Sequence, residues 1–302
     1  MMKVLRTPDS CFENLPGYDF RPNYTTIKDN DGTELRIHYV DEGPQDAEPI
    51  LLMHGNPAWS YLYRKMIPGL LKTGRRVIAV DFVGCGRSDK PAKQKYYTLD
   101  RHIDWMTKWL LALDLNHITL FCQDWGGVIG LNLVADMPER FDRVIAANTG
   151  LPVGDGANKA LRIWQRVMRF LPAFPMRLAL KPAIQTDDFS DDEYRAYLAP
   201  FPRWKYQAGI LSFAQLIPIF PNNPGARRNR AALKKLEQFD KPFLTLFGTR
   251  DPISKGMEII LQQHIPGTKG QNHKRISGAG HFIQEDKPET LVAEIIPFLE
   301  LS

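Results

Sequence analysis

Three short segments carry residue types that could together do nucleophilic chemistry. Cys122-Gln123-Asp124-Trp125-Gly126-Gly127 has the layout of a nucleophile elbow, where small residues two before and two after the central one permit a sharp strand-to-helix turn. The central residue is Asp124, so the nucleophile on offer is a carboxylate; taken alone, the hexapeptide also fits an ordinary connection whose Asp caps a helix. His54-Gly55-Asn56-Pro57 can form a loop that aims a backbone N–H at the reaction centre, or it can be a plain chain reversal. Phe247-Gly248-Thr249-Arg250-Asp251-Pro252 ends an apolar run with an acid, and Ser277-Gly278-Ala279-Gly280-His281-Phe282 sets a histidine among small residues. Singly, Asp251 reads as a turn residue and His281 as a surface or core histidine. In the order Asp124, Asp251, His281 they form a nucleophile, acid and base series.

Such a series needs a rigid frame. Alternation at Leu35, Ile37 and Tyr39 against Glu34, Arg36 and His38, with Asn30-Asp31-Gly32 as turn, predicts an opening antiparallel hairpin from Tyr24. Short non-alternating apolar runs follow at Ile50–Met53, Val77–Val80, Ile118–Phe121, Val144–Ala147 and Phe243–Phe247, as expected of strands buried on both faces of a parallel sheet. Helical spacing at Leu99, Ile103, Met106, Leu110 and Leu113, and a second stretch from Gly127 to Pro138, lie between them. Strand and helix alternate, so the fold class is α/β.

The alternation stops near Gly150. Residues 151–225 hold nine prolines and eleven aromatics with no buried-strand run, while Lys159–Phe170 and Asp191–Leu198 look helical. A helical insertion there would cover the carboxyl end of the sheet, where open α/β sheets bind ligands. The expected division is a core from 1–150 and 226–302, interrupted by a helical cap over 151–225, with strand and helix resuming from Ala231.

The 302 residues, 43% hydrophobic and 24% charged, exclude disordered and fibrous classes. A net charge of +5 without a long run of one sign points to no nucleic-acid partner. Arg227, Arg228, Arg230, Lys234 and Lys235 read as a solvated helix face. Cys11, Cys85 and Cys122 are too few and scattered for a disulfide framework, and neither they nor His38, His102, His117, His264 and His273 have metal-ligand spacing. Gly84-Cys85-Gly86 lacks the third glycine of a dinucleotide fingerprint, since position 89 is Asp89. No metal and no cofactor are expected. With no apolar stretch of signal-peptide length in Met1–Ser10 and no window of membrane-spanning length, the expectation is a soluble cytoplasmic protein without a membrane partner; a monomer is favoured, and the sequence does not fix the oligomeric state.

From His54-Gly55-Asn56-Pro57 through Asp81-Phe82-Val83-Gly84-Cys85-Gly86-Arg87-Ser88 and Gln123-Asp124-Trp125-Gly126-Gly127 to His281-Phe282-Ile283-Gln284-Glu285, the chain resembles the haloalkane dehalogenases of the α/β-hydrolase superfamily. The resemblance implies a mostly parallel sheet flanked by helices under a helical cap. It also implies a haloalkane and water as substrates, and an alcohol and a halide as products. Asn148 occupies the earlier of the two positions where the family carries its acid and Asp251 the later. The resemblance is therefore to the subfamily whose second halide-binding tryptophan lies in the cap: Trp164 in Leu161-Arg162-Ile163-Trp164-Gln165, with Trp204 as the other cap tryptophan.

The chemistry is coherent with that resemblance. An sp³ carbon bearing a halogen offers no carbonyl, and a carboxylate, ionised at neutral pH, can displace the halide in line. The product is an ester of Asp124. His281, oriented by Asp251, can then activate water against it while the N–H groups of Asn56 and Trp125 hold the oxyanion. Indole N–H donates without accepting, so Trp125 and Trp164 suit a halide. Epoxide hydrolases share the Asp elbow, the following tryptophan and the cap, and use cap tyrosines as acids, a role open to Tyr194, Tyr197 and Tyr206; they usually carry an aromatic where this chain has Asn56. Fluoroacetate dehalogenases favour arginine at the position of Trp125. A non-catalytic small-ligand receptor, or a cofactorless oxygenase-like member on the same scaffold, is the reading from a different class.

Overall fold

Aliphatic runs that never alternate with polar residues become strands covered on both faces, and here they assemble one large sheet. The computed structural model describes residues 2–155 and 159–300. Among these residues the strands are β1 (Val4–Leu5), β2 (Asn23–Lys28), β3 (Glu34–Glu42), β4 (Pro49–Met53), β5 (Arg76–Val80), β6 (Lys90–Pro91), β7 (Ile118–Gln123), β8 (Phe141–Ala147), β9 (Phe243–Gly248) and β10 (Lys274–Ile276). β1 and β6 form a small antiparallel ribbon, and the other eight form one sheet in the order β10-β9-β8-β7-β4-β5-β3-β2. Only the β2–β3 and β3–β5 pairings are antiparallel; β4, β5, β7, β8, β9 and β10 run parallel. Chain order reverses around β4, which pairs with β5 on one side and β7 on the other. Open α/β sheets bind ligands outside the strand carboxyl ends at such a reversal.

The helices are α1 (Ile67–Leu71), α2 (Leu99–Ala112), α3 (Trp125–Asp136), α4 (Lys159–Phe170), α5 (Met176–Ala183), α6 (Asp191–Leu198), α7 (Ala208–Leu216), α8 (Pro224–Leu236), α9 (Met257–His264), α10 (Ile283–Asp286) and α11 (Pro288–Leu299). Thr98 caps α2, accepting from the Arg101 N–H, and α3 is buried along almost its whole length, as an all-round apolar helix must be. None of the described helices is long and apolar enough to cross a membrane.

Between β8 and β9 the described chain adds only helices. α6 begins with a full capping box, Ser190 and Glu193 each satisfying the other's backbone N–H. α7 is nearly all apolar and packs against α4; its Phe213 packs against Trp125 of α3 and stacks on His102 of α2. Gln165 on α4 donates to Ala214 O and Ile217 O, both at 2.9 Å. α8 begins at Pro224, earlier than the Ala231 expected for renewed regular structure, because proline is well suited to the first helical turn. Its basic residues are more than a solvated face. Arg228 and Lys235 both pair with Asp136 at the end of α3, and Arg230 donates to Val153 O and Pro221 O.

A buried charge cluster ties these helices to the sheet. Glu285 accepts from Arg64, Lys65 and the Tyr197 hydroxyl, and Arg64 and Lys65 also reach Glu193 on α6. Two cations face two carboxylates, so the group is balanced; removing one member strands a buried charge, at a cost of about 3–5 kcal/mol.

Candidate active site

β7 ends at Gln123 and α3 starts at Trp125, leaving Asp124 at the corner with φ 53° and ψ −123°. A non-glycine residue held in so sparsely populated a region stores about 1–3 kcal/mol, which the surrounding packing must impose. The two following glycines let that packing close. A Cβ on Gly126 would lie 2.0 Å from Met53 O, and one on Gly127 2.0 Å from Thr149 Oγ1. Thr149 in turn donates its hydroxyl to Asp124 O at 2.7 Å.

The Asp124 carboxylate is held at both oxygens. Oδ1 accepts the Asn56 backbone N–H at 2.8 Å, and Oδ2 lies 3.3 Å from His281 Nε2. Asn56 sits just past β4, before a cis bond to Pro57. His54 braces that loop from below: its Nε2 accepts the Phe82 N–H at 3.1 Å, which leaves the proton on Nδ1, 2.8 Å from Gly55 O. Burial pulls the His54 pKa below the usual imidazole value, keeping the ring neutral in this structural role.

His281 lies on the loop after β10, buried, with Nδ1 3.1 Å from Asp251 Oδ2. Asp251 follows β9; its carboxylate also accepts the Ile253 N–H at 2.9 Å and the Ser254 N–H at 3.3 Å, and binds the Ser254 hydroxyl. Burial would raise its pKa, but the bond to His281, the imidazolium charge and these donors outweigh it and hold the carboxyl below its ordinary value. For His281, burial opposes the charged form, yet hydrogen bonds and charge from Asp124 and Asp251 prevail and lift the pKa to about 10. The imidazolium is thus clamped between two carboxylates.

Asp124, Asp251, His281 and Asn56 therefore converge, as the sequence predicts. Trp125 joins them as the first residue of α3; it is buried, and among the described residues its indole N–H has no protein acceptor. Trp164 is placed differently. It lies on α4, 40% exposed, and no hydrogen bond or ring contact among the described residues joins it to Trp125 or to the three triad candidates. Its neighbour Gln165 bolts α4 to α7, whose Phe213 touches Trp125 at a 5.0 Å centroid distance. Trp204 is more remote from any packing role at 68% exposed.

Two polar residues that sequence reasoning left without a task hold the histidine loop. Asn148, which fails to be the acid, donates to Gly280 O at 2.8 Å and His281 O at 2.9 Å and accepts the Gly248 N–H at 2.8 Å. Gln123 donates to His281 O at 3.1 Å. The Asn148 side chain binds only backbone groups, which leave no pattern in a sequence, whereas the Gln123 amide nitrogen also lies 3.2 Å from His281 Nε2; the one available signal was an amide at the carboxyl end of a buried strand.

The comparisons with known proteins agree with this geometry. The family model for the alpha/beta hydrolase fold matches residues 48–288. The chain is 50% identical over 299 residues to the haloalkane dehalogenase of Psychrobacter cryohalolentis, covering 99% of this chain and 98% of that one. It is 45% identical to the haloalkane dehalogenase of Mycolicibacterium paratuberculosis, over 98% of each chain. Among solved structures, the tetrameric haloalkane dehalogenase DpaA from Paraglaciecola agarilytica superposes with a TM-score of 0.87 at 34% identity, over 97% of both chains. On sequence and fold alike, this chain belongs to the haloalkane dehalogenases of the α/β-hydrolase fold.

Proposed function

We propose that the chain hydrolyses haloalkanes to an alcohol and a halide through a covalent ester of Asp124. One observation carries this reading: a carboxylate at a strained elbow has one oxygen on a backbone N–H and the other against a histidine that is itself paired with a second acid. Oδ1 is held by Asn56, so Oδ2 is the attacking atom. It forms the C–O bond as the carbon–halogen bond breaks, and the departing electron pair leaves with the halide. The indole N–H groups of Trp125 and Trp164 receive that ion, and the 40% exposure of Trp164 weighs against a purely packing role. The positive end of α3 favours negative charge at the same place.

Alkylation neutralises Asp124, so His281 loses one of the two charges that keep it protonated, its pKa falls and its Nε2 proton passes to solvent. The imidazole then accepts a proton from the water that attacks Cγ of the ester. The tetrahedral oxyanion forms on Oδ1, where Asn56 N–H already stands and Trp125 N–H completes the pair. Collapse breaks the bond between Cγ and the alkyl oxygen, His281 returns its proton to that oxygen, and the alcohol leaves as the carboxylate is restored. Asp251 keeps the proton-bearing Nδ1 edge fixed throughout.

The epoxide-hydrolase reading is disfavoured by the tyrosines. Tyr197, the buried one, donates to Glu285 at 2.6 Å within the charge cluster and is not free to protonate an opening epoxide. Cys11, Cys85 and Cys122 are unpaired, which supports a reducing, cytoplasmic setting. We take 1–150 and 226–302 as one core and 151–225 as its cap.

The decisive experiment uses His281→Ala with a short bromoalkane. One equivalent of halide is released in a burst and turnover stops, the intact mass rises by the alkyl group, and peptide mapping places it on the segment containing Asp124. A folded variant giving neither burst nor adduct refutes the two-step reading, and an adduct formed from an epoxide but from no haloalkane transfers the chain to the epoxide hydrolases.

A further inference from the structure

We propose that Asp286 is a positioning residue that couples the seating of the cap segment 183–186 to the placement of His281. The inference rests on the function proposed above and extends it to a residue five positions beyond the base. Asp286 ends α10 and is buried. Its Oδ1 accepts the Gln185 N–H at 2.6 Å and the Thr186 N–H at 2.9 Å, both from the segment that leaves α5. Its Oδ2 accepts the Gly280 N–H at 2.7 Å, from the residue immediately before His281. On the other side of the histidine, the Phe282 N–H donates to Ala183 O at 3.1 Å. Both sequence neighbours of the base are thus tied to one short piece of the cap, one directly and one through a single carboxylate.

The packing leaves no slack in this arrangement. A Cβ on Gly280 would lie 2.7 Å from Gln185 Cγ, 2.8 Å from Ala183 O and 3.3 Å from Asp286 Oδ2. Only a carboxylate can accept on both oxygens, so an amide at 286 must turn its NH₂ toward either the cap or the histidine loop and break that side. Halide displacement requires Asp124 and donors to the leaving ion. Ester hydrolysis alone requires Nε2 of His281 to stand correctly for the attacking water. Loosening the strap therefore slows the second step selectively, which generalised loss of structure would not do.

The test is rapid-quench kinetics on the full-length Asp286→Asn variant with a short bromoalkane, following halide release and alkylated enzyme by intact mass. Hydrolysis slows by about ten- to a hundredfold, the range expected for a small misplacement of a reacting group, while alkylation keeps its wild-type rate. The ester accumulates, and kcat and KM fall together. Gly280→Ala, which forces the same two segments apart, gives the same imbalance, and its result decides the matter if Asp286→Asn does not fold. Glu193→Gln, which weakens the cap's attachment at Arg64 instead, leaves the ratio of the two steps unchanged. Equal slowing of both steps, or no change in either, overturns the inference. A wild-type enzyme that releases no halide from any haloalkane overturns the proposed function instead.

Discussion

Asp124, Asp251 and His281 each stand on the turn that follows a strand of one sheet, and each has its functional atoms pinned by partners between 2.8 and 3.3 Å away. Trp164 stands on a helix that meets the rest of the protein mainly through another helix, and it is 40% exposed. On the roles proposed above, the two sides of the site are therefore built to different tolerances. Attack on carbon and the proton transfer after it need groups fixed in distance and angle. Receiving a spherical ion needs only a donor within reach, and admitting varied alkyl chains is served by a wall that is not locked to the sheet.

The largest test of this contrast is Asp124→Ala, which abolishes halide release in a halide-electrode assay while the melting profile shows the fold retained. Activity above a tenth of wild type would mean that the precisely held side is not where the carbon is attacked. Next in size, Asp251→Asn lowers kcat by about 10⁴, the loss seen when a triad acid becomes an amide. Asn148→Ala, which frees the Gly280 and His281 carbonyls without touching the ring, costs less. The reverse order would mean that the acid acts from the earlier strand.

On the cap side, Trp164→Phe weakens halide binding and lowers kcat by about 10², comparable to losing one charge-stabilising donor, and Trp204→Phe has little effect. If fluorescence titration with bromide gives unchanged affinity in Trp164→Phe, that residue only packs and the contrast must be drawn elsewhere. The smallest effect is on stability. Folded His281 keeps its proton up to about pH 10, whereas an ordinary imidazole loses it near 6.5. The interaction therefore stabilises the fold fully below pH 6.5, and that contribution is lost as pH rises through 10. Thermal melts of wild type and Asp124→Asn across this window should differ most at the acid end and converge toward the alkaline end; parallel curves would show that the clamp on His281 is not coupled to folding.

The same contrast governs what could be read from residue order alone. The five buried strands were legible because Ile50–Met53, Val77–Val80 and their like are apolar runs, and the triad because Asp124 and Asp251 follow such runs while His281 stands among small residues after them in the chain. In the inserted region, α4 and α6 were legible, one by its strong amphipathic spacing and the other by its acidic start. α5 carries a one-sided stripe but is only eight residues long and contains Pro182, which reads as a break, and α7 has apolar residues all round, without the stripe by which helices are recognised. The basic stretch Arg227 to Lys235 is largely a solvated face, as read, but the pairing of Arg228 and Lys235 with Asp136 was not legible, because an ion pair between segments nearly a hundred residues apart has no local signature. Asn148 and Asp286 escaped for a related reason: what they bind is main chain.

That last property has a consequence for how the protein can diverge. Asp286 grips Gln185 and Thr186 by their backbone N–H groups, so the anchor does not depend on which side chains those positions carry. Proline alone, having no N–H to offer, is barred from them. A lineage, or an engineer, can therefore rewrite the residues around 185 and 186, and graft in foreign cap sequences that keep this turn, without discarding the join to the histidine loop. Inheritance at this hinge is of a backbone shape, and the letters written on it are left free to follow new substrates.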